Sequence, residues 1–304
     1  MKTALLLGLA ALHTGVPFVS EANMAELPRG EVRPLYLTKD SPLTEVAAFF
    51  LDLLPVTNAE FAHFVSQHPT WQAGQAPALF VESQYLSHWL GVDGRPRPEQ
   101  LQQAVTHVSW YAANAYCQAQ GKRLPTVSEW EYAAQASELS ANGSKEVGYT
   151  QRILSWYAKP ATAVLPNVGQ SPANFWKIQD LHGLVWEWTQ DFNTALVTGE
   201  SRGDSSLDQG LFCGSAAAGS ADPSDYAAFM RYGFRSSLKA PYTLGNLGFR
   251  CAQDSLEPKS SPELNKSPEL QNSPELNKSL GLQKSIKQAK SANEPVSTLA
   301  QGGS

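Results

Sequence analysis

The sequence predicts an α+β fold, and three observations carry the prediction. Two hydroxyl-x-x-Glu capping boxes, Thr57 to Glu60 and Thr126 to Glu129, each open a short helix. Two β-like apolar runs stand beside them, from Val46 to Leu54 and from Val105 to Val108. From about residue 136 to 253, helical periodicity is poor, apolar runs are short, and Gly, Pro, Asn and Ser are frequent. Irregular backbone of that length needs extra fixing by metals, disulfides or dense Trp packing.

Taken in order, the first element is a leader. Lys2 supplies a positive charge, Thr3 to Leu12 is apolar, and Ser20-Glu21-Ala22 offers a small-x-small cleavage site. Residues 1–22 are therefore expected to be a signal peptide, and the protein to be exported, periplasmic or secreted. The apolar stretch is too short to cross a bilayer, and no other run is long enough for a membrane span after signal removal. Pro55 ends the run from Val46, and the Thr57 box starts a helix through Phe61, Phe64 and Val65. Ser109 caps a helix through Tyr111, Ala115, Tyr116 and Cys117, which Gly121 stops as a C′ glycine. Leu124-Pro125 turns the chain into the Thr126 box and a helix through Trp130, Tyr132 and Ala133.

Composition divides the chain of 304 residues sharply. All eight Trp lie between Trp71 and Trp188, and no aromatic residue follows Phe249. A segment without large apolar side chains cannot offset its ordering entropy by burial. The domain is placed at 31–253, followed by a tail at 254–304 that is expected to be disordered. The tail repeats a Ser-Pro-Glu-Leu hexad from Ser261, Ser267 and Ser273. A six-residue period does not line Leu264, Leu270 and Leu276 on one helix face, and Pro262, Pro268 and Pro274 oppose a helix. The formal net charge of −5 and the lack of a Lys/Arg block speak against nucleic acid as a partner. The six His, at 13, 63, 68, 88, 107 and 182, show no metal-ligand spacing. The three Cys, Cys117, Cys213 and Cys251, leave one over after any pairing.

Several motifs occur together between about residues 45 and 252. They are Leu51-Asp-Leu-Leu-Pro-Val-Thr-Asn-Ala-Glu-Phe61, His107-Val-Ser-Trp110, Ala115-Tyr-Cys117 and Gly121-Lys-Arg-Leu-Pro-Thr126. Glu129-Trp-Glu-Tyr-Ala-Ala134, Asp180-Leu-His-Gly-Leu-Val-Trp-Glu-Trp188 and Asn246-Leu-Gly-Phe-Arg-Cys251 complete the set. In content and order they resemble the formylglycine-generating enzyme family, the sulfatase-modifying-factor domain. The resemblance implies a fold related to C-type lectins, with small twisted sheets, short helices and much ordered loop.

The same resemblance implies a site. The family binds calcium on the loop that corresponds to Asp180–Trp188, which assigns ligands to the Asp180 and Glu187 side chains and the Gly183 and Val185 carbonyls. Ca²⁺ takes six to eight oxygens, so carboxylates mixed with carbonyls suit it. The family usually has Asn where Asp180 stands, and its second calcium loop has no acidic counterpart between Trp156 and Asn174. The family's disulfide maps onto Cys117 and Cys251, leaving Cys213 a free thiol. Trp186 and Ser215 match residues that line the family's cleft, beside Tyr226, Arg231 and Arg235. The two arginines either offer donors to a peptide or carboxylate ligand or pair with Asp222, Asp225 or another acid.

The family's reaction uses two cysteines that bind copper as thiolates, a soft pairing suited to Cu(I). Their positions fall near Ala218 and Ala227, so no catalytic residue is assigned and no copper is expected. The Cys213-Gly-Ser-Ala216 and Tyr226-Ala-Ala-Phe-Met-Arg-Tyr232 stretches look most like the exported branch that accompanies nitrite reductase. The expectation is an accessory, maturation or binding protein for such a periplasmic partner or peptide. Two alternatives stand beside it. One is an oxidoreductase with a non-canonical site that tailors a cofactor or siderophore, and the other is a lectin-like ligand-binding protein.

Overall fold

The computed structural model describes residues 23–33, 42–158, 164–193 and 223–255, all within one compact unit. The expected signal peptide, the hexad tail beyond residue 255, Cys213, Ser215 and Ala218 lie outside the described residues, as does the side chain of Tyr226.

The strands are short and form three small sheets. Strand β1 (Met24–Leu27) pairs antiparallel with β4 (Phe49–Asp52), which pairs on its other edge with β7 (Ala252–Asp254). Strands β2 (Gly30–Val32) and β3 (Thr44–Val46) form an antiparallel ribbon. Strands β5 (Trp186–Glu187) and β6 (Leu247–Gly248) form a parallel pair. In β4 the burial alternates, with Phe49 and Leu51 inward, as a one-sided strand requires.

Each helix foreseen from a cap is present. Helix α1 (Asn58–Gln67) begins at the Thr57 capping box, where Thr57 Oγ1 accepts from Glu60 N and the Glu60 carboxylate accepts from Thr57 N. Helix α2 (Trp110–Ala119) begins at Ser109. Gly121 follows its C-cap at φ +69°, the left-handed turn that favours glycine. Helix α3 (Val127–Ala134) begins at the reciprocal Thr126–Glu129 box.

Three expectations need correction. The run from Val46 to Leu54 is not one strand: Ala47 and Ala48 separate β3 from β4, which belong to different sheets. The stretch Val105 to Val108 is not a strand, because His107 adopts φ +51° and bends the chain out of the extended region. Its anchors are the Thr57–Ala104 bridge and the bond from Val105 N to Val56 O. The segment after residue 136 also holds two helices, α4 (Tyr149–Tyr157) and α5 (Pro223–Ser236). Helix α4 starts from Gly148 in the left-handed conformation, with no side-chain cap to announce it. The two helices pack together, and Ala227 is buried between them against Tyr149 and Ile153.

Among the described residues, two large apolar cores and a smaller cluster at the α4–α5 contact result. One lies between α1, α2 and the Phe249 segment, and holds Phe61, Phe64, Tyr116, Trp188 and Phe249. The other lies between the three-stranded sheet and α3, and holds Leu27, Phe49, Leu51, Trp130 and Ile178. The Cys117–Cys251 disulfide, with its two Cα atoms 5.6 Å apart, ties α2 to the start of β7 and is fully buried.

Candidate functional site

The chemistry-bearing side chains converge where α3, α4, α5 and the β5–β6 pair meet. Their partners determine what each can do.

Glu131 on α3 is buried and receives two guanidinium groups from α5. Arg231 donates to it through Nε at 2.9 and 3.0 Å and through Nη2 at 2.7 Å. Arg235 donates through Nη1 at 2.7 Å. Both guanidinium groups also lie over the Trp130 ring, 5.9 and 4.7 Å from its centroid. Burial alone would raise the Glu131 pKa, but the two arginine charges outweigh it and hold the carboxyl below its ordinary value. This resolves the alternatives left open by the sequence. The arginines pair with a buried acid, Glu131, while Asp222 and the side chain of Asp225 lie outside the described residues. They are not free donors aimed at a ligand.

A directional relay continues from Arg231. Its Nη1 donates to Tyr157 Oη at 3.2 Å, Tyr157 is bonded to His182 Nδ1 at 3.1 Å, and His182 Nε2 reaches Ala134 O at 2.9 Å. Arg only donates and a carbonyl only accepts, so His182 carries its proton on Nε2 and the Tyr157 hydroxyl donates to Nδ1. Burial, then the Arg231 charge, pushes His182 down to about 4, which keeps the ring neutral. A cleft beside the relay is lined by Ser137, Tyr149, Arg152, Trp156, Asp180 and His182.

Trp186 is on β5, half-buried, and stacked on the chain's own aromatics. Its ring centroid is 4.4 Å from Phe234 at 20° and 5.4 Å from Tyr157 at 19°.

The calcium expectation meets a specific obstacle at Glu187. Oε1 accepts from Arg250 Nε at 3.0 Å and Nη2 at 2.8 Å, and Oε2 accepts from Arg250 Nε at 2.9 Å and Trp130 Nε1 at 2.6 Å. A carboxylate has about four lone-pair sites, and these donors fill them. Both side chains of the pair are 0% exposed. A cation bound to Glu187 would sit against the Arg250 guanidinium. Glu187 therefore does not fit as a calcium ligand in this arrangement.

Asp180 is differently placed. It adopts φ +60°, its carboxylate accepts from Gly169 N and Ser171 N, and its own N–H donates to Ser171 Oγ. Gly183 turns the loop at φ +87°, and a Cβ there would stand 2.8 Å from Trp156 Cβ. Only glycine passes both constraints. Asp180 and the carbonyls of Gly183 and Val185 supply at most four oxygens, short of the six to eight that calcium takes. Among the described residues, no group of three or more His, Cys, Asp and Glu side chains is placed to hold a metal.

Sequence reasoning missed Glu131, Tyr157 and His182. Glu131 carried one signal: an acid beside Trp130 on the inner face of a short capped helix implies a buried basic partner. Its partners lie 100 and 104 residues away, beyond any local pattern.

Residues 20–255 match the sulfatase-modifying factor enzyme 1-like domain. The bovine (Bos taurus) inactive C-alpha-formylglycine-generating enzyme 2 is 30% identical over 280 residues, covering 78% of this chain and 89% of the relative. The formylglycine-generating enzyme of Streptomyces coelicolor is 30% identical over 248 residues, covering 68% and 78%. Among solved structures, PvdO from Pseudomonas aeruginosa aligns at 19% identity with a TM-score of 0.43, covering 76% of this chain and 94% of that one.

Proposed function

The chain belongs to the sulfatase-modifying factor enzyme 1-like family, and from that premise we propose that it is an exported member without copper-dependent formylglycine-generating activity. It serves instead as an accessory or maturation protein for a periplasmic partner, with nitrite reductase as the first candidate. The observation that carries this reading is a cysteine count. The chain has three cysteines, and Cys117 and Cys251 are bonded to each other at 2.01 Å. Cys213 alone is left, and a site of two copper thiolates needs two. Ala227, near which the family's second catalytic position falls by resemblance, is buried in the α4–α5 contact.

Three further features agree with the reading. Arg231, Arg235, Tyr157 and His182 are engaged with one another or with Glu131, as a structural network would have them. Trp186 is stacked on Phe234 and Tyr157. A buried disulfide belongs to an oxidising compartment, which favours export. Among the described residues, no helix is long and apolar enough to cross a membrane.

Two experiments test the proposal. The purified protein is incubated with Cu(I), oxygen and a peptide carrying the sulfatase cysteine motif, and the aldehyde is sought by mass spectrometry. We expect none above the no-protein control, and multiple turnover would refute the absence of activity. The accessory role is tested by adding the protein to copper-free nitrite reductase and following copper uptake and activity. Faster recovery is expected, and an unchanged rate argues against this partner.

A further inference from the structure

Five buried side-chain polar atoms lack a hydrogen-bond partner among the described residues, and three belong to one neighbourhood: His88 Nδ1, His107 Nδ1 and Thr243 Oγ1. The two imidazole centroids are 5.0 Å apart and the ring planes differ by 26°. The Thr243 backbone lies beside the His107 ring. Buried polar atoms without partners are rare enough that a cluster of three calls for a ligand.

The hydrogen bonds fix the protonation of the His88 ring. Asn58 Nδ2 donates to Gln100 O at 3.0 Å, so Asn58 Oδ1 is the acceptor of Trp89 Nε1 at 2.7 Å and of His88 Nε2 at 3.2 Å. His88 thus carries its proton on Nε2, and its Nδ1 presents a bare lone pair. His107 Nδ1 has no partner among the described residues, so nothing there holds a proton against a metal ion.

The surrounding backbone holds the rings in place. Leu86 N donates to His107 O at 3.0 Å, His107 N donates to Leu244 O at 2.9 Å, and Gln100 Nε2 donates to His88 O at 3.0 Å. Leu86 and His107 both adopt left-handed backbone, at φ +52° and +51°, which is costly for side chains of their size. Strain of that kind gathers at ligand clamps. The chain at Gly245 passes so close that a Cβ there would stand 3.0 Å from His107 Nε2.

We propose that His88 and His107 bind one borderline divalent transition-metal ion, of which Zn²⁺ is the type, through their Nδ1 atoms. The Thr243 hydroxyl is a weaker oxygen donor, and water completes the shell. Neutral imidazole is the commonest protein ligand for such ions and a poor one for calcium. Two imidazoles sharing a tetrahedral ion at about 2.0–2.1 Å from each nitrogen place their centroids roughly 5 Å apart, which matches the spacing here. His88 and His107 are half-buried as residues, while their Nδ1 atoms are shielded from bulk solvent. The site does not involve Glu131, Trp186 or any cysteine, and it stands or falls independently of the proposed function.

The test uses the untagged full chain after dialysis against a chelator. Titration with Zn²⁺, and with Co²⁺ as a coloured substitute, should give one equivalent and a visible Co²⁺ absorption. Long-range proton–nitrogen spectra of the imidazoles should show the Nδ1 signals of His88 and His107 moving together. His88→Gln and His107→Asn should each weaken binding by at least about tenfold, the lower end of what loss of supporting groups alone costs at metal sites. Asn tolerates the left-handed backbone at position 107, which protects the fold of that variant. No binding, or binding retained in both variants, overturns the proposal and leaves an ordered water as the partner of these atoms. If either variant is unfolded, the wild-type imidazole spectrum decides: shifts confined to His63 or His68 also overturn it.

Discussion

Glu187 and Arg250 are the most deeply buried charges in the described structure, and each is satisfied only by its neighbours. Arg250 also donates to the carbonyls of Asp52, Leu53 and Gln179. Removing one member of such a pair strands the other in a low-dielectric interior, at about 3–5 kcal/mol. Arg250→Met should lower the free energy of unfolding in urea by that amount. A loss under about 1 kcal/mol would contradict the pairing described. His182 and Glu131 make the stability pH-dependent in the same direction. His182 has its pKa lowered, to about 4, from an ordinary 6.5, so folding is opposed as the unfolded chain gains a proton that the folded chain refuses. That contribution is complete above pH 6.5 and is lost as pH falls toward 4. Glu131, also lowered, adds its own loss on further acidification. Urea midpoints measured from pH 7 to 4 should fall steadily, and His182→Gln should flatten the upper part of that fall. These residues were partly legible in advance. The motifs around Trp130, Trp186 and Arg250 stood out, but a guanidinium shows no partner in sequence when the acid is 63 or 100 residues away.

At the scale of elements, caps were legible and strands were not. Thr57, Ser109 and Thr126 mark helix starts because the cap is a bond between residues two or three apart. The stretch from Val105 to Val108 reads as a strand because its apolar pattern is local, while the His107 bend is imposed by Leu86 and Leu244 from elsewhere in the fold. Helix α4 has no side-chain cap, and so no cap signal to find. The disulfide joins two elements whose cysteines are 134 residues apart. Its pairing came from family resemblance and is present in the structure. Thiol titration of the denatured, unreduced protein should therefore find one free thiol, that of Cys213. The Cys117→Ser/Cys251→Ser double variant should lose about 2–5 kcal/mol of stability, which differential scanning calorimetry would read.

At the scale of the whole molecule, the described residues form three small sheets and short helices around two large cores and a smaller cluster, and long connections are held by side-chain bonds. In such a fold a structural metal would be a plausible staple, and the loop from Asp180 to Trp188 is where family resemblance places calcium. The Arg250 guanidinium fills that role at Glu187 instead. We expect the melting temperature to be unchanged by EGTA or by millimolar Ca²⁺. A fall with EGTA that Ca²⁺ restores would show that Asp180 and the loop carbonyls suffice with water.

The sequence alone determined the fold class, the three capped helices and the family, because each depends on residue identity or on contacts a few positions apart. Only the tertiary structure decided which acid holds Arg231 and Arg235, what occupies Glu187, and that the rings of His88 and His107 meet with Nδ1 atoms that have no partner among the described residues. Each of those is an encounter between distant segments, set by how the helices and loops pack rather than by any local pattern.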